Sequence, residues 1–204
     1  MSLAPQALVS PTTYGLDASI PRFTVAKYQR MIESGGVDED DDVELLEGYV
    51  VLKMPRSPSH DNAIDRITDI LQQHRPPGWR VRVQSAITLS DSQPEPDISV
   101  VLGDLSQFEH RHPQPPEIGL VVEVADSSLS RDMSDKARMY AAAAIPIYWV
   151  VNLNQRSVEV FTHPSGPVEN PSYAKRITCR QNDAVQFVLD GSVITTTDAA
   201  SLVG

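Results

Sequence analysis

Two short runs in the middle of the chain, Asp97–Leu102 (DISVVL) and Ile118–Val124 (IGLVVEV), are apolar almost without a break. A strand with one solvated face alternates apolar and polar side chains, whereas a strand covered on both faces does not. The two runs therefore predict central strands of a sheet lying between other layers, and helices must do the covering. Three helices are legible. Val25, Tyr28, Met31 and Ile32 recur at helical spacing within Phe23–Glu33, with Thr24 as N-cap and Gly35-Gly36 as a stop. Ile64, Ile67, Ile70 and Leu71 follow Ser59-His60-Asp61-Asn62 and mark a second helix, closed by His74-Arg75-Pro76-Pro77-Gly78. Asp132–Ala144 (DMSDKARMYAAAA) predicts the third, with Ser130 or Asp132 as its cap and Pro146 as its terminator. Met133, Ala137, Tyr140, Ala141 and Ala144 form its apolar stripe.

Further strands complete the pattern. Tyr49–Met54 reads as one, ended by Pro55. Val81, Val83 and Ser85 alternate with Arg80, Arg82 and Gln84, predicting a half-buried strand that runs on toward Ile87 and Leu89. Ile147–Val151 and Ser157–Thr162 flank a hairpin turn at Asn152–Gln155, and the tail ends in a hairpin turning at Asp190-Gly191. The expected class is α/β (α+β): a mixed β-sheet flanked by helices, with extra β-hairpins at the C-terminus. Residues 1–21 read as a flexible arm, and residues 22–204 as a single domain.

Composition narrows the setting. Hydrophobic residues make up 41% of the 204, enough for a substantial core. No apolar run approaches the roughly 18 residues of a membrane span, no signal pattern opens the chain, and cytoplasm is the expected location. The single cysteine, Cys179, rules out an internal disulfide and any multi-cysteine zinc site, and reads as a half-buried structural thiol. The net charge of −10 is concentrated locally. Eight acids (Glu33, Asp38, Glu39, Asp40, Asp41, Asp42, Glu44, Glu47) lie between Glu33 and Glu47 with no Lys or Arg among them, so that segment reads as a solvated loop. The remainder is close to neutral and carries no basic stripe of the kind that marks strong sequence-independent DNA binding.

Chemistry is suggested by one misplaced charge. Glu123 sits inside an otherwise apolar central strand, and burying an unpaired carboxylate costs several kcal/mol. It must be paired with a core base, protonated, or bound to a cation. Asp97 opens the neighbouring apolar run after Pro94-Glu95-Pro96; alone it reads as a turn acid capping a strand start. If the two strands are neighbours, both carboxylates reach one spot and repel unless a cation lies between them. Mg²⁺ suits such a pair, since it takes one or two carboxylates and keeps several waters. Lys136 borders the stripe of the third helix, where it would orient a water or neutralise a phosphoryl group, or else face solvent and pair with Asp132. Tyr148-Trp149, among Ile147, Val150 and Val151, reads as core packing.

The ordered set Glu44 … Gly48, His60, Pro96-Asp97, Val122-Glu123-Val124 … Ser127, Asp132 … Lys136 … Tyr140 and Ile145-Pro146 … Tyr148-Trp149-Val150-Val151-Asn152 resembles the Uma-type restriction endonuclease family of the PD-(D/E)xK nuclease-like superfamily. The resemblance covers roughly residues 22–165. It implies a restriction-endonuclease-like fold, with Asp97 and Glu123 as metal-binding acids for Mg²⁺ or Mn²⁺. The lysine usual two residues after the second acid is absent, Ala125 standing there, and the resemblance moves that role to Lys136. Glu44 matches an upstream acid placed before the first strand, and His60 a histidine that opens the second helix, or a solvent-facing residue of that helix. Where the family commonly has Asp-Gly, Gly before the Ile-Pro step, and a final Asp, this chain has Glu47-Gly48, Ala144 and Asn152. The alanine implies a helix end with no need of positive φ.

The expected function is metal-dependent endonucleolytic hydrolysis of DNA phosphodiester bonds, carried by Asp97, Glu123, Lys136 and Glu44, with a homodimer suited to cutting two strands. Two alternatives stand beside it: a non-catalytic interaction module that retains a nuclease-like fold, and a metal-dependent hydrolase of a non-nucleic phosphate ester.

Overall fold

A computed structural model describes residues 20–204. The arm expected over residues 1–21 lies almost wholly outside that range. Six strands form the central sheet in sequential order: β3 (Trp79–Val83), β4 (Ile98–Leu102), β5 (Ile118–Ala125), β6 (Ile147–Asn152), β7 (Ser157–Pro164) and β8 (Tyr173–Arg180). Only the β5–β6 pair is parallel; the rest are antiparallel, which makes the sheet mixed. The parallel step needs a crossover, and the segment containing α3 (Leu129–Arg131) and α4 (Ala137–Ala142) supplies it.

Both faces are covered, as the apolar runs require. One face packs against α2 (Pro58–His74) and α5 (Ala199–Val203) through Ile67, Leu71, Ile98, Val122, Trp149 and Leu202. The other packs against α4 through Val101, Val121, Tyr140, Tyr148 and Val150. Tyr148 and Trp149 are core residues, one on each face, and Cys179 is buried in β8. Two hairpins stand apart from the sheet: β1 (Val43–Leu46) with β2 (Tyr49–Leu52), and β9 (Ala184–Leu189) with β10 (Ser192–Asp198). The second turns at Asp190-Gly191, where both residues have positive φ. Helix α1 (Val25–Glu33), capped by Thr24, packs with the first hairpin in a small satellite core around Tyr28 and Leu45. Among the described residues no helix is long and apolar enough to cross a membrane.

Four local expectations are corrected. The third strand stops at Val83, because Gln84 takes φ 44°. Ile87 and Leu89 are buried instead in a loop whose amides bond to Pro94 and Ser92 carbonyls. The acidic segment forms a 3₁₀ turn over Glu39–Asp41, with Asp38, Asp40, Asp41 and Asp42 exposed; from Val43 it becomes strand β1, so Glu44 lies within the first strand and not before it. The helix expected over Asp132–Ala144 begins at Leu129, with Ser128 and not Ser130 or Asp132 at its N-cap position, and is broken by a π turn at Asp132–Lys136. Ala144 has φ 57°. The Ile145 amide bonds to the Tyr140 carbonyl and the Ala144 amide to that of Ala141, the hydrogen-bond pair of a Schellman ending, and this geometry demands a left-handed residue at position 144 whether or not it is glycine.

Candidate active site

The register Ile98↔Val122, carried one residue further, sets Asp97 across from Glu123 at one end of the sheet. Period-two alternation turns Val122 and Val124 toward α2 and leaves Glu123 facing the α4 side. Both acids line a cleft of about 670 Å³ together with Glu44, His60, Asp132 and Lys136. The residues singled out in the sequence thus meet in one place. Glu44 reaches it on β1: the loop that leads into Asp97 forms a bridge from Gln93 to Leu45, and the Glu95 amide donates to Glu44 Oε2 at 3.1 Å.

Each acid is anchored through one oxygen. Asp97 Oδ2 accepts the Val124 amide at 2.8 Å and lies 3.2 Å from His60 Nε2. Glu123 Oε1 accepts both Lys136 Nζ, at 2.9 Å, and the Tyr140 hydroxyl, at 2.8 Å. Among the described residues no protein donor bonds Asp97 Oδ1 or Glu123 Oε2. His60 is buried on the third residue of α2, with its backbone amide bonded to the Ser57 cap, so it is not the solvent-facing alternative. Lys136 is likewise buried. It pairs with Glu123 and, at 3.7 Å, Glu44, and is not the exposed partner of Asp132.

Electrostatics follow from crowding. Burial pushes the Glu123 carboxyl well above the usual carboxylate range; Lys136 opposes this, and the charges of Asp132, Asp97 and Glu44 add to it. Burial also raises Asp132, against the pull of Lys136 and of the Ser128 hydroxyl. For Lys136, burial favours loss of the proton, but Glu123, Glu44 and Asp132 outweigh it and the ammonium is held above its ordinary range. For His60, burial pulls downward and the hydrogen bond and charge of Asp97 win, raising it. Three carboxyl groups, Glu123, Glu44 and Asp132, act on Lys136, and Asp97 adds a fourth to the cleft. Two of them, Asp97 and Glu123, each offer an oxygen that no protein group claims. That is a hard-oxygen donor set for a divalent cation of the Mg²⁺ type, which needs only one or two carboxylates. Among the described residues no group of three or more His, Cys, Asp or Glu side chains is arranged to hold a metal ion.

Two residues of this site escape the sequence reading. Asp132 looks like a helix cap and Tyr140 like a rung of an apolar stripe. Each stands four residues from Lys136, and that helical spacing was the available signal.

The chain matches the Uma2 family model, described as "Putative restriction endonuclease", over residues 25–191, and belongs to that family. Its fold is similar to that of a solved protein from Anabaena variabilis described as "a putative nuclease belonging to DUF820", with a TM-score of 0.69 at 14% identity, over 89% of this chain and 97% of that one. No curated protein matches.

Proposed function

We propose that the chain is a metal-dependent endonuclease that hydrolyses DNA phosphodiester bonds, acting as a homodimer. The observation that carries the reading is the convergence of Asp97 and Glu123, remote in sequence, on one cleft that Glu44 and Asp132 also line, each with one oxygen fixed by the protein. In it Asp97 and Glu123 hold Mg²⁺ or Mn²⁺. The ion, when bound, polarises the phosphate and lowers the pKa of a water. Lys136 keeps Glu123 oriented and places positive charge beside the phosphoryl group, and Glu44 holds that ammonium from the other side. His60 and the Val124 amide fix the rotamer of Asp97. Family membership supports the nuclease assignment.

The test is cleavage of plasmid and linear DNA with Mg²⁺ or Mn²⁺ by the wild type, Asp97→Ala, Glu123→Gln and Lys136→Ala. The three variants lose activity if the assignment holds; equal activity in all four proteins overturns it. A second reading, a non-catalytic module on the same fold, is favoured by one observation: Lys136 and Tyr140 already compensate the buried Glu123 without a metal. That reading predicts a flat thermal midpoint on Mn²⁺ titration, where the nuclease reading predicts saturable stabilisation that Asp97→Ala removes.

A further inference from the structure

Glu123 Oε1 carries two donors of different kinds. Lys136 is a charge on a flexible stem, equally able to bond either carboxylate oxygen or to straddle both. The Tyr140 hydroxyl is a single directional donor on a ring enclosed by packing. Tyr140 is fully buried, its ring packs against Tyr148 at 4.9 Å between centroids, and Tyr148 in turn stacks on Phe161 and Tyr173. Its backbone is fixed as well, since its carbonyl accepts the Ile145 amide that closes the helix.

From this geometry we propose that Tyr140 is a positioning residue for Glu123: by fixing Oε1 beside Lys136 it keeps Oε2 turned into the cleft as the cation-facing oxygen. The inference rests on the reading of the cleft as a divalent-cation site. Without the hydroxyl, the carboxylate is free to rotate about its last torsion and meet the ammonium with both oxygens, which withdraws Oε2 from the cleft. Partners of this kind, touching a ligand and not the metal, are typically worth about 10–100-fold in metal affinity.

The test is Mn²⁺ affinity of the full chain, measured by calorimetry and by thermal midpoint, for the wild type, Tyr140→Phe and Tyr173→Phe. Tyr173 belongs to the same aromatic cluster, but its hydroxyl donates to the Ile145 carbonyl at 2.9 Å. Removing it reports what the loss of a buried phenol bond does to the fold alone. The expected result is Mn²⁺ binding about 10–100-fold weaker in Tyr140→Phe and unchanged in Tyr173→Phe, with both metal-free proteins folded by circular dichroism. Wild-type affinity in Tyr140→Phe overturns the proposal and leaves the cation site standing, as does an equal loss in Tyr173→Phe. A wild type with no saturable Mn²⁺ binding overturns the cation site itself and this inference with it.

Discussion

The Lys136 ammonium, in the π turn, lies 2.9 Å from Glu123 Oε1 on β5, and both side chains are buried. Removing one member of such a pair strands the other charge in a poorly solvated site, at a typical cost of about 3–5 kcal/mol. Lys136→Met is therefore expected to lower the stability in urea by about that amount. Replacing both partners, as in Glu123→Leu with Lys136→Met, removes the stranded charge. The double variant is expected to recover most of the loss while having no nuclease activity. Chevron or equilibrium urea curves of the three proteins check this, and a double variant as unstable as the single one contradicts it.

A left-handed alanine carries a conformational cost that glycine does not. Ala144 is exposed at φ 57°, so its methyl group gains no packing to offset that cost. Ala144→Gly is expected to stabilise the protein by about 0.5–1 kcal/mol, raising the thermal midpoint by roughly 1–4 °C in a chain of this size. Differential scanning calorimetry decides it: an unchanged or lower midpoint would mean that the unfolded-state entropy of glycine outweighs the backbone strain.

How far the sequence alone could reach is clear from these two sites. The uninterrupted runs around Val100 and Val122 declared a covered sheet because burial on both faces erases alternation, and that also exposed Glu123 as anomalous. Strand β1 was hidden because it is four residues long and embedded in acids, so charge density outweighed periodicity. The π turn leaves almost no trace in a pattern of helical spacing, since it widens only one turn. Asp132 and Lys136 stand four apart, the spacing of an ordinary surface pair, and only the tertiary fold reveals that both point inward. Ala144 misled for a different reason: the hydrogen bonds of the helix ending set its φ, and they outweigh the preference of the side chain.

The Arg111–Glu117 pair gives a pH dependence remote from the cleft. Arg111 Nη1 bonds Glu117 Oε2 at 2.7 Å, and the Gln114 amide donates to the same carboxylate at 2.9 Å. The guanidinium first, against some burial, and then the amide hold the Glu117 carboxyl down at about 2. A carboxyl depressed in the folded state contributes stability that is fully present above its unfolded pKa, 4.5, and is lost as the pH falls toward 2. Because Arg111 is largely open to solvent, the contribution is expected to stay within about 1 kcal/mol. Glu117→Gln should leave the acid limb of the stability curve shallower between these two pH values and lower stability slightly at pH 7. Urea midpoints measured across that range check it, and parallel curves for the two proteins would rule it out.

Gly119 sits in a close contact between β5 and the last hairpin. A Cβ placed there would lie 2.6 Å from Leu189 Cδ2 and 2.6 Å from Trp79 Cζ3. Both neighbours are buried, Leu189 at 2% and Trp79 at 7% exposure, so neither has open space to retreat into. The backbone φ of Gly119 is not left-handed, and the need for glycine here is one of space alone. Gly119→Ala is expected to destabilise by about 1–3 kcal/mol through overpacking. The double variant Gly119→Ala with Leu189→Ala should regain part of the loss contributed by the clash, although the missing leucine adds a cavity cost of its own. A positive coupling between the two changes in urea unfolding supports the contact as the cause. Strict additivity would place the strain elsewhere, on the indole of Trp79, and Trp79 fluorescence in the single variant would then shift while Leu189 replacement made no difference.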